Sequence, residues 1–425
     1  MQVRAKSIPA APPAAMTTHP RIRTLLSEVF YLRVYIKVSS PHPEPVFASS
    51  ITAFSFSLTK IALLPLFPYN HDYKPQIKND QAIKKGASSM IFLKNDYSIG
   101  AHPEVLNELI ENNLVNNDSY GNDVRSSKVT EKIRQLTNQP QADVHLIVGG
   151  TLTNKTCLSA FTRPYEAIIS TTEGHIAVHE TGAIEATGHR LLELPTPDGK
   201  LLPKQIEQVV KMHNMDQMVI PKVVYVSDTT EPGSVYTKAE LTAIRETCDK
   251  YGLYLYVDGA RLAMALGAEK NDMTLADIAE LADAFYIGGA KCGALFGEAV
   301  VIVNDDLKPN FRFMMRQNGA LFSKAQLIAM QFDVLLEGGL YEELGRHCNE
   351  LGRKLADGIL AKGYELAYEP ESNMIFPVFS KEMVSRLEQE VMFEHWEDRG
   401  DSEVIRLVTS WASKSDDVDA FLALI

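Results

Sequence analysis

The sequence predicts an α/β fold, with a mostly parallel sheet in a large domain and a smaller α+β domain after it. Three observations lead there. From Met90 onward, short apolar runs alternate with stretches of helical spacing, as strands covered on both faces do. Glycine-rich or polar turns follow the strand-like runs: Gly149-Gly150-Thr151, Ser227 to Thr230, Asp258-Gly259-Ala260-Arg261 and Gly288-Gly289-Ala290-Lys291. After about Phe322 the pattern changes to long helices and two isolated strand-like runs. The expected organisation is a leader over residues 1–88, a large domain over 89–335 and a small C-terminal domain over 336–425.

Taken in order, Val144 to Val148 reads as a strand, and Thr151 to Phe161 has helical spacing. Ala167 to Ser170 is strand-like, Ile176 to Thr187 reads as a helix, and Arg190 to Leu194 as a strand. Pro203 to Met212 is helical and Lys222 to Val226 is a buried-looking strand. Thr237 and Glu240 have the spacing of a capping box, in which each side chain satisfies a free backbone N–H at a helix start. That helix should run to about Tyr251 and stop at Gly252. Leu253 to Val257 and Ala284 to Ile287 complete the large-domain strands. Helices over Lys324 to Leu336 and Tyr341 to Leu360 precede strands at Met374 to Val378 and Val404 to Thr409.

Charge narrows the partners. The 425 residues carry a net charge of −12, but residues 1–88 hold 11 Lys+Arg against 4 Asp+Glu. The body is therefore strongly acidic, which argues against nucleic acid, since phosphate contacts need clustered Lys and Arg. Cys157, Cys248, Cys292 and Cys348 are scattered without a CxxC pair, so neither a zinc site nor a disulfide framework is expected. A reducing, cytoplasmic compartment follows. The basic, Ser-rich start is compatible with an organelle transit peptide and equally with a poorly ordered leader. Its apolar stretch, Ile61 to Phe67, is far below the roughly 18 residues of a membrane helix.

The chemistry lies at the strand ends, where ligands bind in such sheets. Gly149-Gly150-Thr151 between a strand and a helix offers free N–H groups to an anion, or is simply a tight turn. Asp258 can hold a heterocyclic N–H⁺, or only cap the next turn. Lys291, flanked by small residues, can approach a ligand closely. Desolvation would lower its pKa and make it a nucleophile; most lysines are instead solvated. His175 and His179 at i and i+4 can face one side of a helix. The intervening residues are not those of H-E-x-x-H and no third ligand is evident, so no metal is expected. An anion cradle, a strand-end carboxylate and an amine together suit pyridoxal 5′-phosphate (PLP), whose phosphate, ring nitrogen and aldehyde need those three groups.

A longer set of motifs then becomes legible. Asn95-Asp96-Tyr97-Ser98, Gly100 to Pro103, Tyr120-Gly121, Gly149 to Asn154, Gly174-His175, His179 to Gly182, Asp258 to Leu262, Gly289-Ala290-Lys291, Ser372-Asn373-Met374 and Ile405 to Thr409 resemble the threonine aldolase / β-eliminating lyase family in order and approximate spacing. The resemblance covers about Met90 to the C-terminus. It implies a PLP-dependent transferase fold of the aspartate-aminotransferase type (fold type I). It implies an aldehyde-lyase that cleaves L-threonine, L-allo-threonine or related β-hydroxy-α-amino acids to glycine and an aldehyde, working as a homodimer or homotetramer.

By the same resemblance, Lys291 binds the cofactor covalently, Asp258 pairs with its ring nitrogen and His175 stacks on the ring. Gly150, Thr151 and Asn154 lie where the family holds the phosphate or positions the cofactor, and Arg261 lies beside cofactor and substrate. Arg406 grips the substrate carboxylate, with Asn95 and His179 near the substrate. His175, or less readily His179, takes the β-hydroxyl proton. Two positions depart from the family pattern. Ala290 stands where Ser or Thr is usual, and His179 where an aromatic residue is common. They leave room for bulkier hydroxy amino acids or for β-elimination. An aminotransferase, or a catalytically silent binding homologue, is the remaining alternative.

Overall fold

Alternation along β5 (Ile220–Ser227) shows how the central sheet is built. Val223 and Tyr225 pack into one apolar cluster, and Val224 and Val226 into another on the opposite face. Successive side chains of a strand point to opposite faces, so a strand this apolar needs cover on both. The computed structural model describes residues 90–425. The expectations for the leader over 1–88, its boundary included, lie outside the described residues.

A short strand, β1 (Ile91–Phe92), precedes the sheet. The other large-sheet strands are β2 (Asp143–Ile147), β3 (Glu166–Thr171), β4 (Arg190–Leu194), β6 (Tyr254–Asp258), β7 (Ala284–Gly288) and β8 (Glu298–Ile302). Their order is β2-β8-β7-β6-β5-β3-β4. The pairings from β7 through β4 are parallel, whereas β8 runs antiparallel to both β7 and β2. The sheet is thus mostly parallel as expected, with one inserted strand that the sequence reading passed over.

Residues 365–408 supply a second sheet of short antiparallel strands, centred on β14 (Ser402–Val408). Around it lie β9 (Glu365–Leu366), β10 (Met374–Ile375), β11 (Pro377–Ser380) and β13 (Glu394–Asp398). The single strand expected over Met374 to Val378 is interrupted at Phe376, and its halves pair with different parts of β14. A further pair joins β1 to β12 (Val391–Met392). The helix Leu340–Ala361 packs its buried face, including Leu351, Leu355 and Ile359, against this sheet.

Local signals explain most boundaries. Thr237 and Glu240 form the capping box, and Gly252 ends the helix Lys238–Tyr251 with φ of 64°. The expected helix over Ile176 to Thr187 does not form. Only His175–Val178 is α-helical, followed by a 3₁₀ turn at Glu185–Thr187. Thr181 and Gly182 adopt φ of 53° and 69°, left-handed conformations that interrupt a right-handed helix.

Candidate active site

The carboxyl ends of β5, β6 and β7 meet over a floor of three tyrosines. Tyr225, Tyr256 and Tyr286 lie on one face of the sheet and are fully buried. Buried hydroxyls need partners, and these three find them at one place. The Tyr225 hydroxyl donates to Asp258 Oδ2 at 2.5 Å. The Tyr286 hydroxyl donates to Asp258 Oδ1. The Tyr256 hydroxyl donates to Asn154 Oδ1 at 3.1 Å, and Asn154 Nδ2 donates to Asp258 Oδ2 at 2.8 Å. The Ala260 N–H completes the set at 3.0 Å from Oδ1. Burial alone would raise the Asp258 pKa. His175 and the donors Tyr225, Tyr286 and Asn154 more than offset it and hold the carboxyl below its ordinary range. The strand end therefore presents a fixed negative charge.

Asn154 reaches that carboxylate from the helix Gly150–Phe161. Its Nδ2 also donates to Glu180 Oε1 at 2.9 Å, and the same oxygen meets His175 Nδ1 at 2.8 Å. The hydrogen bond at Nδ1 orients the imidazole. His179 lies close by, with ring centroids 5.5 Å apart. Partial burial, then the positive charges of His175, Arg406, Arg261 and Lys291, push its pKa down to about 4. It is a neutral imidazole at pH 7.

Lys291 follows the close-packed turn Gly288-Gly289. A Cβ at Gly288 would fall 2.5 Å from Gly259 O, and one at Gly259 only 1.8 Å from Tyr286 O. Glycine is required at both because these backbones touch. Desolvation and the neighbouring Arg261 lower the Lys291 pKa, against Asp96, Asp258 and Glu298. Its Nζ lies 5.9 Å from the Tyr97 ring centroid.

Two arginines behave differently. Arg261 is buried and bound twice by Asp96, at 2.7 and 3.1 Å, so its guanidinium is largely committed within the chain. Arg406, on β14, forms no ion pair among the described residues, and its Nε is buried without a partner. It sits 5.5 Å from the Trp396 ring centroid. Burial and then Arg261 lower its pKa, against Asp96 and Glu394. A planar fork in that condition suits a carboxylate.

The structure thus brings Asn154, His175, Asp258 and, through charge, Lys291, Arg261, His179 and Arg406 into one region. Asn95 is buried and its Oδ1 accepts from the Tyr97 N–H at 3.2 Å, which sets the turn carrying Asp96. Gly150 starts its helix where a Cβ would meet the Tyr286 hydroxyl at 3.3 Å. Thr151, next to it, is exposed.

Sequence reasoning missed Asp96, Glu180, Glu231 and Glu298. Glu180 and Asp96 were each adjacent to residues already singled out. Glu231 and Glu298 gave no signal, because nothing in spacing marks an acid that only the fold brings near a site. Glu298 begins β8 and its Oε2 accepts from the Gly289 N–H at 3.0 Å. Burial pushes its carboxyl up to about 8.

That shift carries a stability prediction. The folded protein keeps a proton on Glu298 that the unfolded chain releases near 4.5. The group is harmless below pH 4.5 and destabilises the fold increasingly as pH rises towards 8. Glu298→Gln retains the acceptor for Gly289. Without added ligand it is expected to raise stability at pH 8 by a few kcal/mol, on the order of the shift in pKa, and to change little at pH 4.5. Thermal unfolding at both values checks this; an equal gain at both would refute the assignment.

The fold and the strand-end site define the fold-type-I class of α/β enzymes. An aspartate aminotransferase structure from Thermus thermophilus shares the fold at 15% identity, covering 81% of this chain and 92% of its own with a TM-score of 0.61. More specifically, the chain belongs to the beta-eliminating lyase family, whose model matches residues 99–382. A threonine aldolase structure from Leishmania major is 45% identical, covers 78% of this chain and 98% of its own, and has a TM-score of 0.77. A low specificity L-threonine aldolase of Pseudomonas aeruginosa is 30% identical over 303 residues, which is 70% of this chain and 86% of that protein.

Proposed function

We propose that this chain is a PLP-dependent aldehyde-lyase that cleaves L-threonine, L-allo-threonine or related β-hydroxy-α-amino acids to glycine and an aldehyde. The observation that carries the reading is the strand-end carboxylate of Asp258, held below its ordinary range by His175 and by the donors Tyr225, Tyr286 and Asn154, near a lysine of lowered pKa. That pair fits PLP, and glycine at Gly150 lets the helix start pack closely on the Tyr286 hydroxyl that holds Asp258. Bound PLP supplies an electrophilic aldehyde and a ring that accepts an electron pair.

The chain's own groups do the rest. Lys291, whose pKa desolvation and Arg261 lower, would provide the amine. Asp258 would pair with the ring nitrogen and favour its protonated form. Glu180 and Asn154 tie His175 to the same carboxylate, so the ring's neighbours cannot reorient independently. Arg406 offers its unpartnered guanidinium to the substrate carboxylate, which fixes how Cα is presented. Arg261, paired with Asp96, contributes positive charge more than a free fork. His179, neutral at pH 7, can accept the β-hydroxyl proton, and His175 beside it is the other imidazole in reach of this role.

The 30% and 45% identical relatives named as threonine aldolases support this choice over other fold-type-I chemistries. A homodimer or homotetramer belongs to the same reading; Ile110, Leu114 and Val124 are exposed apolar side chains that such an interface would have to cover or leave in water. No helix among the described residues is long and apolar enough to cross a membrane. Four free, buried cysteines suit a reducing, cytoplasmic setting.

The deciding experiment adds PLP to the purified protein, then L-threonine or L-allo-threonine, and follows glycine and aldehyde together. Equal release of both is expected. Release of a keto acid and ammonia would instead assign β-elimination.

A further inference from the structure

Glu231 lies four residues beyond the end of β5 and is buried. Its Oε1 is 3.2 Å from Ser227 Oγ. Ser227 Oγ is also 3.2 Å from the Tyr225 hydroxyl, which in turn donates to Asp258 Oδ2 at 2.5 Å. All four residues are at most 8% exposed, and Ser227 pairs directly with Asp258 across β5 and β6. A continuous buried chain therefore links Glu231 to the carboxylate that faces the cofactor ring.

The Ser227 hydroxyl has one proton and two neighbours that can accept it. An ionised Glu231 can only accept, so it takes that proton and leaves the Tyr225 oxygen without a donor from Ser227. A protonated Glu231 donates to Ser227, whose own proton is then free to turn to Tyr225. Every donor now points towards Asp258, and hydrogen bonds aligned in one direction strengthen one another. The better satisfied Asp258 is, the weaker a base it becomes. On the PLP reading above, we propose that Glu231 is a positioning residue that sets the proton affinity of Asp258 through Ser227 and Tyr225, and with it the electron demand of the cofactor ring.

The surroundings place this device in a usable pH range. Burial raises the Glu231 carboxyl to about 6. His175 from the helix His175–Val178 and Arg261 at the start of the helix Leu262–Leu266 oppose that rise, as does Glu231's own N–H, while Asp258 of β6 adds to it. The ring therefore meets a different Asp258 below and above mildly acidic pH.

The test is a pH titration of the visible cofactor band of the holoenzyme, which reports the ring's electronic state without turnover. It is run on the wild type, Glu231→Gln, Ser227→Ala and the double variant. Glutamine can donate as the protonated acid does. Glu231→Gln is expected to move the midpoint by about 0.5 pH unit or more, and by less than half as much once Ser227 is gone, the non-additivity of linked groups. Tyr225→Phe serves as the second background if Ser227→Ala does not fold. An equal shift in both backgrounds would mean that Glu231 acts only through its field and would overturn the proposal, as would no shift in either. A wild type that develops no visible band with PLP overturns the cofactor reading itself, an outcome distinct from these.

Discussion

Lys291→Ala is expected to lower kcat/KM for L-threonine cleavage by about 10³-fold or more, the order seen when a covalent nucleophile is removed, and to abolish borohydride fixation of PLP to the chain. The fold should survive. The turn that carries Lys291 is fixed by backbone contacts, by the Gly289 N–H to Glu298 and by the Tyr341 hydroxyl, which donates to Gly288 O at 2.8 Å. None of these uses the lysine side chain. Removing an amine that desolvation and Arg261 already destabilise as a cation should leave thermal stability little changed, because the half-buried side chain makes no ion pair or hydrogen bond among the described residues. Reduction of the PLP-treated variant followed by peptide mapping gives the answer. Cofactor fixed to the chain at the wild-type level would show that another amine does this work.

The second large effect is expected from Asp258→Asn. The residue accepts from Tyr225, Tyr286, Asn154 and the Ala260 N–H. Asparagine keeps the size and one acceptor oxygen, and a tyrosine hydroxyl can turn to accept from its amide. Asn154 retains Glu180 as an acceptor. The structural loss should stay near 1–3 kcal/mol, the range for a buried polar group left short of a partner. The chemical loss is larger. Without the fixed negative charge, nothing at that strand end keeps the ring nitrogen protonated, and a fall in kcat of about 10²–10³-fold is expected, comparable to losing a preorganised electrostatic contact. Because the Asp258 carboxyl is held below its ordinary range, the wild type should not lose this contribution until well into the acid limb. A folded variant within threefold of wild-type kcat, an arbitrary margin of about 0.65 kcal/mol, would remove Asp258 from the role.

How much of this was legible beforehand depended on whether local rules decide the outcome. The parallel strands and their covering helices were, because an apolar run such as Lys222 to Val226 has no other way to bury both faces. The cap at Thr237 and the stop at Gly252 follow from backbone hydrogen bonding alone. β8 was not found. Its residues, Glu298–Ile302, are as apolar as those of the other strands, but a hairpin return breaks the strand-then-helix rhythm of a parallel sheet. The helix over Ile176 to Thr187 failed for the opposite reason. Its periodicity was adequate, but Thr181 and Gly182 turn the chain so that Glu180 can reach both His175 and Asn154. Tertiary demand there outweighed local spacing.

The site divided along the same line. Asp258 and Lys291 stand at strand ends beside glycine, so their sequence context advertises them. Asp96 reaches Arg261 across 165 positions of chain, and Glu231 is hydrogen-bonded to Asp258 by way of two hydroxyls on the preceding strand. Such partners are chosen by folded geometry, and no short pattern contains them.

The hairpin made by β7 and β8 has a kinetic corollary. The segment bearing Lys291 is closed at its base by the Glu298 carboxyl on the Gly289 amide, and that amide also donates to Gly297 O at 3.0 Å. A tether of this kind can open only when neighbouring strands separate, not by local fraying. Deuterium should therefore enter the Gly289 amide as slowly as it enters the middle of the sheet, although the residue sits in a turn. The amine assigned to the cofactor would then be carried on a bend that opens no more readily than the sheet beside it, and the freedom needed for turnover would come from elsewhere.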